Sequence, residues 1–273
     1  MTALLVFVRL VHEASLMALF GSACLLALLG TRVPELALES RILMLGRRAA
    51  ALAALLTAPA WLALTIAAGK PGTTLFVQLF VPRLLLLLAL PLAVWRGKVR
   101  PTAALSGLAL CLIAIASHTA EASPFDFQIV GAASDGLHLL TGGYWIGGLC
   151  VLVNLLAQRA AAPRLGLAIS IFAEWGMIAV ALLVMTGMIN ASMVLLGNRG
   201  HDAPAYLLVL GAKLVLVTAM IVLALVNQYR LLPGLDRSDN AARMRKHVVW
   251  ELGLGTIVIA LAMTLAVLPP TIQ

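Results

Sequence analysis

Eight apolar stretches fill almost the whole of this sequence, each close to the roughly 20 residues that an α-helix needs to cross the hydrocarbon of a bilayer. They run over about 3–30, 46–68, 74–95, 102–119, 128–156, 165–195, 204–229 and 247–268. A chain that is 62% hydrophobic and 11% charged, with mean hydropathy +1.05, cannot keep such stretches in water. The expectation is an all-α, polytopic membrane helical bundle with eight transmembrane helices, forming a single integral membrane domain over 1–273. Connections are short and carry turn residues, as in Lys70-Pro71-Gly72, Arg100-Pro101, Ser123-Pro124 and Leu232-Pro233-Gly234, leaving little room for a soluble domain. The first stretch lacks an early positive region and is broken by Arg9, His12 and Glu13, so it reads as a retained helix rather than a cleaved signal.

The net charge of +8 does not point to nucleic acid, because the basic residues lie in short loops between apolar spans. Fourteen Lys and Arg residues fall in the odd-numbered loops, against two, Lys70 and Arg199, in the even ones. Basic loops stay cytoplasmic, which predicts odd loops inside and both termini on the outer side. Cys24, Cys111 and Cys150 lie within apolar segments without a CxxC pair, so they read as small buried hydrophobes.

Ser134 to Leu149, SDGLHLLTGGYWIGGL, places an acid and an imidazole inside a membrane helix. Asp135 and His138 share a face at a spacing of three, and Gly142, Gly143, Gly147 and Gly148 thin the helix so that a neighbour can come close. The first helix echoes it in RLVHEASLMALFGS, His12 matching His138 and Gly21 matching Gly147. These pairs are 126 residues apart, and Arg83 and Lys213, each in the third helix of its half, are 130 apart. The pattern predicts two parallel four-helix repeats, a first half over 1–122 and a second over 123–273.

In that topology His12, Arg83, Asp135, His138 and Lys213 reach one level in the outer half of the membrane. With Arg9 and Glu13 they form a set able to neutralise itself, as buried charges must. In the sixth helix Glu174, Met177, Ala181, Met185, Met188 and Ser192 form a single stripe. Thioether and imidazole together suit Cu(I), while a methionine stripe is also ordinary packing. Asn190 and Asn227 read as interhelical hydrogen-bonding groups, and Glu251 as a partner for Arg245, Lys246 or His247. The outer rim carries His118, Glu121, Asp126, His201 and Asp202, a weakly cation-attracting mouth or simply solvated loops.

The ordered pieces SHTAEA (117–122), DGLHLLTGGYWIGGL (135–149), MTGMINASMVLLG (185–197), YLLVLGAKLVLVTAMIVLALVNQYRLLP (206–233) and VVWELGLGTIVIALAMTLAVLPP (248–270) resemble the CopD family of bacterial copper resistance and copper uptake proteins. The first half resembles it mainly through the RLVHEAS helix. The resemblance implies a multi-pass bacterial inner-membrane protein of copper homeostasis, not an enzyme, that moves copper toward the cytoplasm from a separate periplasmic CopC-like copper-binding partner. It implies as motif positions His138 with Asp135, His118, Asn190, Lys213, Asn227 and Glu251, and His12 by its place in the first helix. On this reading copper enters past His118 and binds His12 and His138, assisted by Met185 and Met188. Asp135 orients His138, while Glu13, Arg83 and Lys213 balance charge. Two histidines at one depth also fit the axial ligands of a b-type haem in an electron carrier. A purely structural subunit, its charges only locking helices together, is the third reading. No P-loop is present, so direct ATP use is not expected.

Overall fold

A bilayer offers no partner for a free N–H or C=O, so each apolar stretch must satisfy its own backbone by coiling into a helix. The computed structural model describes residues 2–33, 40–68, 75–95, 101–120, 128–158, 162–197, 204–235 and 237–268. Among these it contains eight α-helices: α1 (Thr2–Arg32), α2 (Arg41–Ala67), α3 (Leu75–Trp95), α4 (Pro101–Ala120), α5 (Gln128–Ala157), α6 (Ala162–Gly197), α7 (Pro204–Val226) and α8 (Ser238–Leu265). Six of them are long and apolar enough to cross a membrane. The other two, α3 and α4, have shorter described apolar stretches, Leu79–Ala89 and Leu105–Ile115. The protein is thus a polytopic all-α membrane bundle, with six long candidate spans and two further apolar helices among the described residues.

Two helices start earlier than hydropathy suggests. The start of α2 precedes its apolar core because Ser40 caps it, accepting a hydrogen bond from the Leu43 N–H at 3.1 Å. The charged run before Val248 continues α8 back to Ser238, helical although it is too polar to sit in hydrocarbon. Between α7 and α8 the chain passes through a π-helical turn, Asn227–Leu231, and a 3-10 turn, Leu232–Gly234. The Asn240 amide ties off that corner by donating to the Gly234 carbonyl at 2.9 Å.

At the centre α1 lies against α5, and each of the two also packs on other helices: α1 mainly on α2, α4 and α8, α5 mainly on α6, α4 and α8. The closest approach is at Gly21 and Gly147, where a Cβ on either would collide with the other helix's backbone. Hydrocarbon outside the bundle is as apolar as leucine, so association relies on such close backbone contact and on interhelical hydrogen bonds. One core patch gathers Leu25, Leu29, Leu149, Leu155, Phe172 and Val248; the other gathers Leu16, Ala54, Trp61, Leu112, Leu139 and Ile259. By contrast α7 buries Tyr206 and Met220 and turns Leu208 and Val215, 76% and 68% exposed, outward. The rim residues Glu121, Asp126, His201 and Asp202 lie outside the described residues, as does the side chain of His118.

Candidate functional site

His12 is fully buried in α1. Its Nδ1 lies 3.0 Å from the Ala54 carbonyl oxygen and 3.0 Å from Thr57 Oγ1, both on α2. A carbonyl only accepts, and the Thr57 hydroxyl spends its own proton on the Ala53 carbonyl at 2.6 Å. The imidazole proton is therefore on Nδ1, and in the neutral ring Nε2 presents its lone pair. That Nε2 is buried with no hydrogen-bond partner. The ring meets Trp61 edge-on, centroids 5.5 Å apart.

His138 in α5 repeats the arrangement on α6. Its Nδ1 is 2.9 Å from Thr186 Oγ1, and the Leu183 backbone is its second hydrogen-bond partner. The Thr186 hydroxyl donates to the Leu182 carbonyl at 2.6 Å, so His138 is also held with its proton on Nδ1. Thr57 follows Ala54 by three residues, as Thr186 follows Leu183. The threonines were not singled out from the sequence. The signal that could have found them is their separation of 129, between the 126 of the histidines and the 130 of Arg83 and Lys213.

Charged groups surround both rings. Arg9 and Glu13, one helical turn apart and 5% and 2% exposed, form an ion pair at 3.6 Å. Arg83, 2% exposed on α3, and Arg9 flank Trp61, with guanidinium carbons 5.0 and 5.1 Å from the ring centroid. Glu13 is within electrostatic reach of Arg9, Asp135 and Arg83, and Lys213 within reach of Asp135 and Glu13. His12 interacts with Arg83, and His138 with Lys213. Among the described residues, groups distant in sequence thus form one electrostatic network, three cations against two carboxylates, with His12 beside Arg83 and His138 beside Lys213.

The other positions fall differently from the expectation. The orienting acceptors of His138 are Thr186 and Leu183, while Asp135 accepts from the Asn190 amide at 3.3 Å. Met185 and Met188 are 48% and 67% exposed on the outer face of α6. At their level it is Thr186 and Gly187 that α6 turns toward His138, a Cβ on Gly187 lying 3.4 Å from the ring. Asn227 belongs to a separate cluster beyond Trp145. Its amide donates to Glu251 Oε1 at 2.7 Å, its oxygen accepts from His247 Nδ1 at 2.9 Å, and Trp145 hydrogen-bonds the same carboxyl. Glu251 is therefore tied to Asn227 and Trp145 rather than to the basic residues next to it in sequence. Among the described residues no three His, Cys, Asp and Glu side chains come together as a ready-made metal cage.

Fold and site together define a polytopic helical membrane protein with a buried, histidine-centred ionic network at the end of the bundle where α1 begins. Residues 166–265, spanning most of α6 to α8, match the family model described as Copper resistance protein D, the family that the motifs resemble. The chain is also 27% identical over 162 residues to the "Copper transport protein CutJ" of Bacillus subtilis (strain 168). That alignment takes in 58% of this chain and 29% of the relative, so the chain spans less than a third of the curated protein it matches. No solved structure matches. The first five helices, with His12 and His138, lie outside the family match.

Proposed function

We propose that this protein conducts copper, as Cu(I), through the bundle, from the end where α1 begins toward the opposite, basic end. The observation that carries the reading is the bare, fully buried Nε2 of His12, its ring fixed by Nδ1–H bonds to Ala54 and Thr57. A histidine that offers one nitrogen while the other is anchored to a backbone carbonyl is the usual form of a metal ligand. His138, anchored in the same way, is the second stop. With few ligands at each stop the ion is held weakly enough to leave again, as conduction requires. We assign the assisting thioether to Met17, one turn beyond Glu13 on α1, because it is buried while Met185 and Met188 face outward.

The matched pairs His12–Thr57 and His138–Thr186, and the meeting of Gly21 with Gly147, support reading 1–122 and 123–273 as two parallel four-helix repeats. The excess of basic residues in the odd loops supports a bacterial inner-membrane protein with both termini periplasmic. A periplasmic CopC-like protein is the donor we propose. Movement is passive or driven by an ion gradient.

The test is metal content and the visible spectrum of detergent-purified protein from copper-supplemented cells, with uptake of copper into proteoliposomes. Wild type should carry copper, and His12→Ala and His138→Ala should each lose binding and flux. A Soret band lost in these variants would replace the copper reading with a haem carrier. Unchanged copper flux in both would remove the site.

A further inference from the structure

Arg9 occupies a place built for a cation. Its guanidinium carbon lies 5.1 Å from the centroid of Trp61, an indole face that attracts positive charge, and its Nη2 lies 3.6 Å from Glu13. The third group at this place is His12, whose ring touches Trp61 and whose Nε2 has no partner. A carboxylate and an indole face thus meet at the guanidinium of the same chain, and His12, on the next turn of α1, touches the same indole edge-on. The Arg9–Glu13 contact is long, at 3.6 Å, and Arg9 Nε makes no hydrogen bond.

There is also room for Arg9 to leave. A crevice of about 250 Å³ opens between the start of α1 and the ends of α2 and α8, lined by Thr2, Leu5, Arg9, Trp61, Thr65 and Ala266 among others. Arg83 also lies against this indole, at 5.0 Å from its centroid, and of the two guanidinium groups only that of Arg9 is among the described residues lining the crevice.

Charge counting selects the ligand. Among the described residues the network holds Arg9, Arg83 and Lys213 against Glu13 and Asp135, one positive charge in excess when each group is counted in its charged form. A cation added to it would raise the excess in a medium where isolated charge is costly. A monovalent cation that takes the place of Arg9 leaves the excess unchanged, whereas a divalent ion raises it. We propose that Arg9 is a tethered stand-in for a soft monovalent cation, which enters by this crevice and takes over Glu13, Trp61 and His12 as the guanidinium swings out. The identification of that ion as Cu(I) rests on the copper-conducting reading; the exchange itself does not.

The test measures silver(I) binding by equilibrium dialysis, in nitrate buffer, on detergent-purified full-length protein. Arg9→Gln removes the competitor, and silver(I) should bind at least about tenfold tighter, a gain that a merely structural arginine would not give. Glu13→Gln should abolish that gain, and zinc(II) should bind wild type far more weakly than silver(I). Unchanged or weaker silver(I) binding by a monodisperse Arg9→Gln protein overturns the proposal. If Arg9→Gln does not fold, Arg9→Lys decides. It keeps the charge but cannot span both Glu13 and Trp61, so affinity should still rise, and affinity equal to or below wild type overturns the exchange. Copper flux separates the two readings. Flux lost in wild type with the silver(I) gain intact leaves the stand-in and removes conduction; flux intact without the gain does the reverse.

Discussion

Replacing Gly147 with alanine adds one methyl group where α5 has no space for it. That Cβ would lie 2.6 Å from Gly21 Cα and 2.7 Å from Gly21 C, both backbone atoms of α1 that no rotamer change can move. Carbon atoms rest at about 3.5–4.0 Å, so the helices must part by about 1 Å at this point, and a gap of that size forfeits up to about half of each neighbouring contact. Overpacking of this kind costs about 1–3 kcal/mol. At about 2 kcal/mol the melting temperature of a chain of this size falls by about 4–8 °C. The assay is thermal unfolding in detergent, with Gly253→Ala and Gly176→Ala as controls, since a Cβ at either has no atom within 4 Å. The controls should match wild type or gain slightly from better helix propensity, by up to about 1 kcal/mol. Because Gly21 and Gly147 touch each other, the double alanine variant should cost less than the two single costs added together. Melting of Gly147→Ala together with the Gly253→Ala control would refute the close α1/α5 crossing.

Thr186→Val removes the hydroxyl that orients His138 while the Leu183 backbone partner remains, so copper affinity should fall by about tenfold, measured by metal titration, with little change in melting. Met185→Leu combined with Met188→Leu should leave copper binding and flux at wild-type values, since both side chains face outward. Asn227→Leu takes a donor from the buried Glu251 carboxyl and should cost about 1–3 kcal/mol in detergent unfolding. Arg32→Ala should shift stability by less than about 0.5 kcal/mol, because its pair with Glu174 is 47% and 63% exposed at 3.5 Å.

Hydropathy located the helices well, because in a membrane the length of an apolar stretch and the length of its helix answer to the same thickness. It failed at Ser40 and Ser238, where the helices are started by a cap or continued by charged residues that hydropathy does not see. The histidines and their charged neighbours were legible for a related reason: an ionisable group in hydrocarbon is conspicuous whatever it contacts. What each group contacts was not legible. Spacing placed Asp135 on the same face as His138, yet a helix also brings Thr186 across from α6, and the hydroxyl is what meets the imidazole. The methionine stripe has helical period, and periodicity says which residues share a face without saying which way that face turns. Trp61 carried no signal, since one aromatic in an apolar span looks like packing until Arg9, His12 and Arg83 are found around it.

The crossing of α1 with α5 also imposes an order of events on synthesis. Gly147 follows Gly21 by 126 residues, so a ribosome adding about 5–20 residues per second leaves α1 without its main neighbour for roughly 6–25 s. During that wait Asp135 and Lys213 do not yet exist. Arg9 and Glu13 do, on one helix and one turn apart, and their mutual pairing lets α1 enter the bilayer as a nearly neutral rod. The ion pair that sits among the histidines of the finished protein is thus also the pairing open to α1 before its neighbours are made.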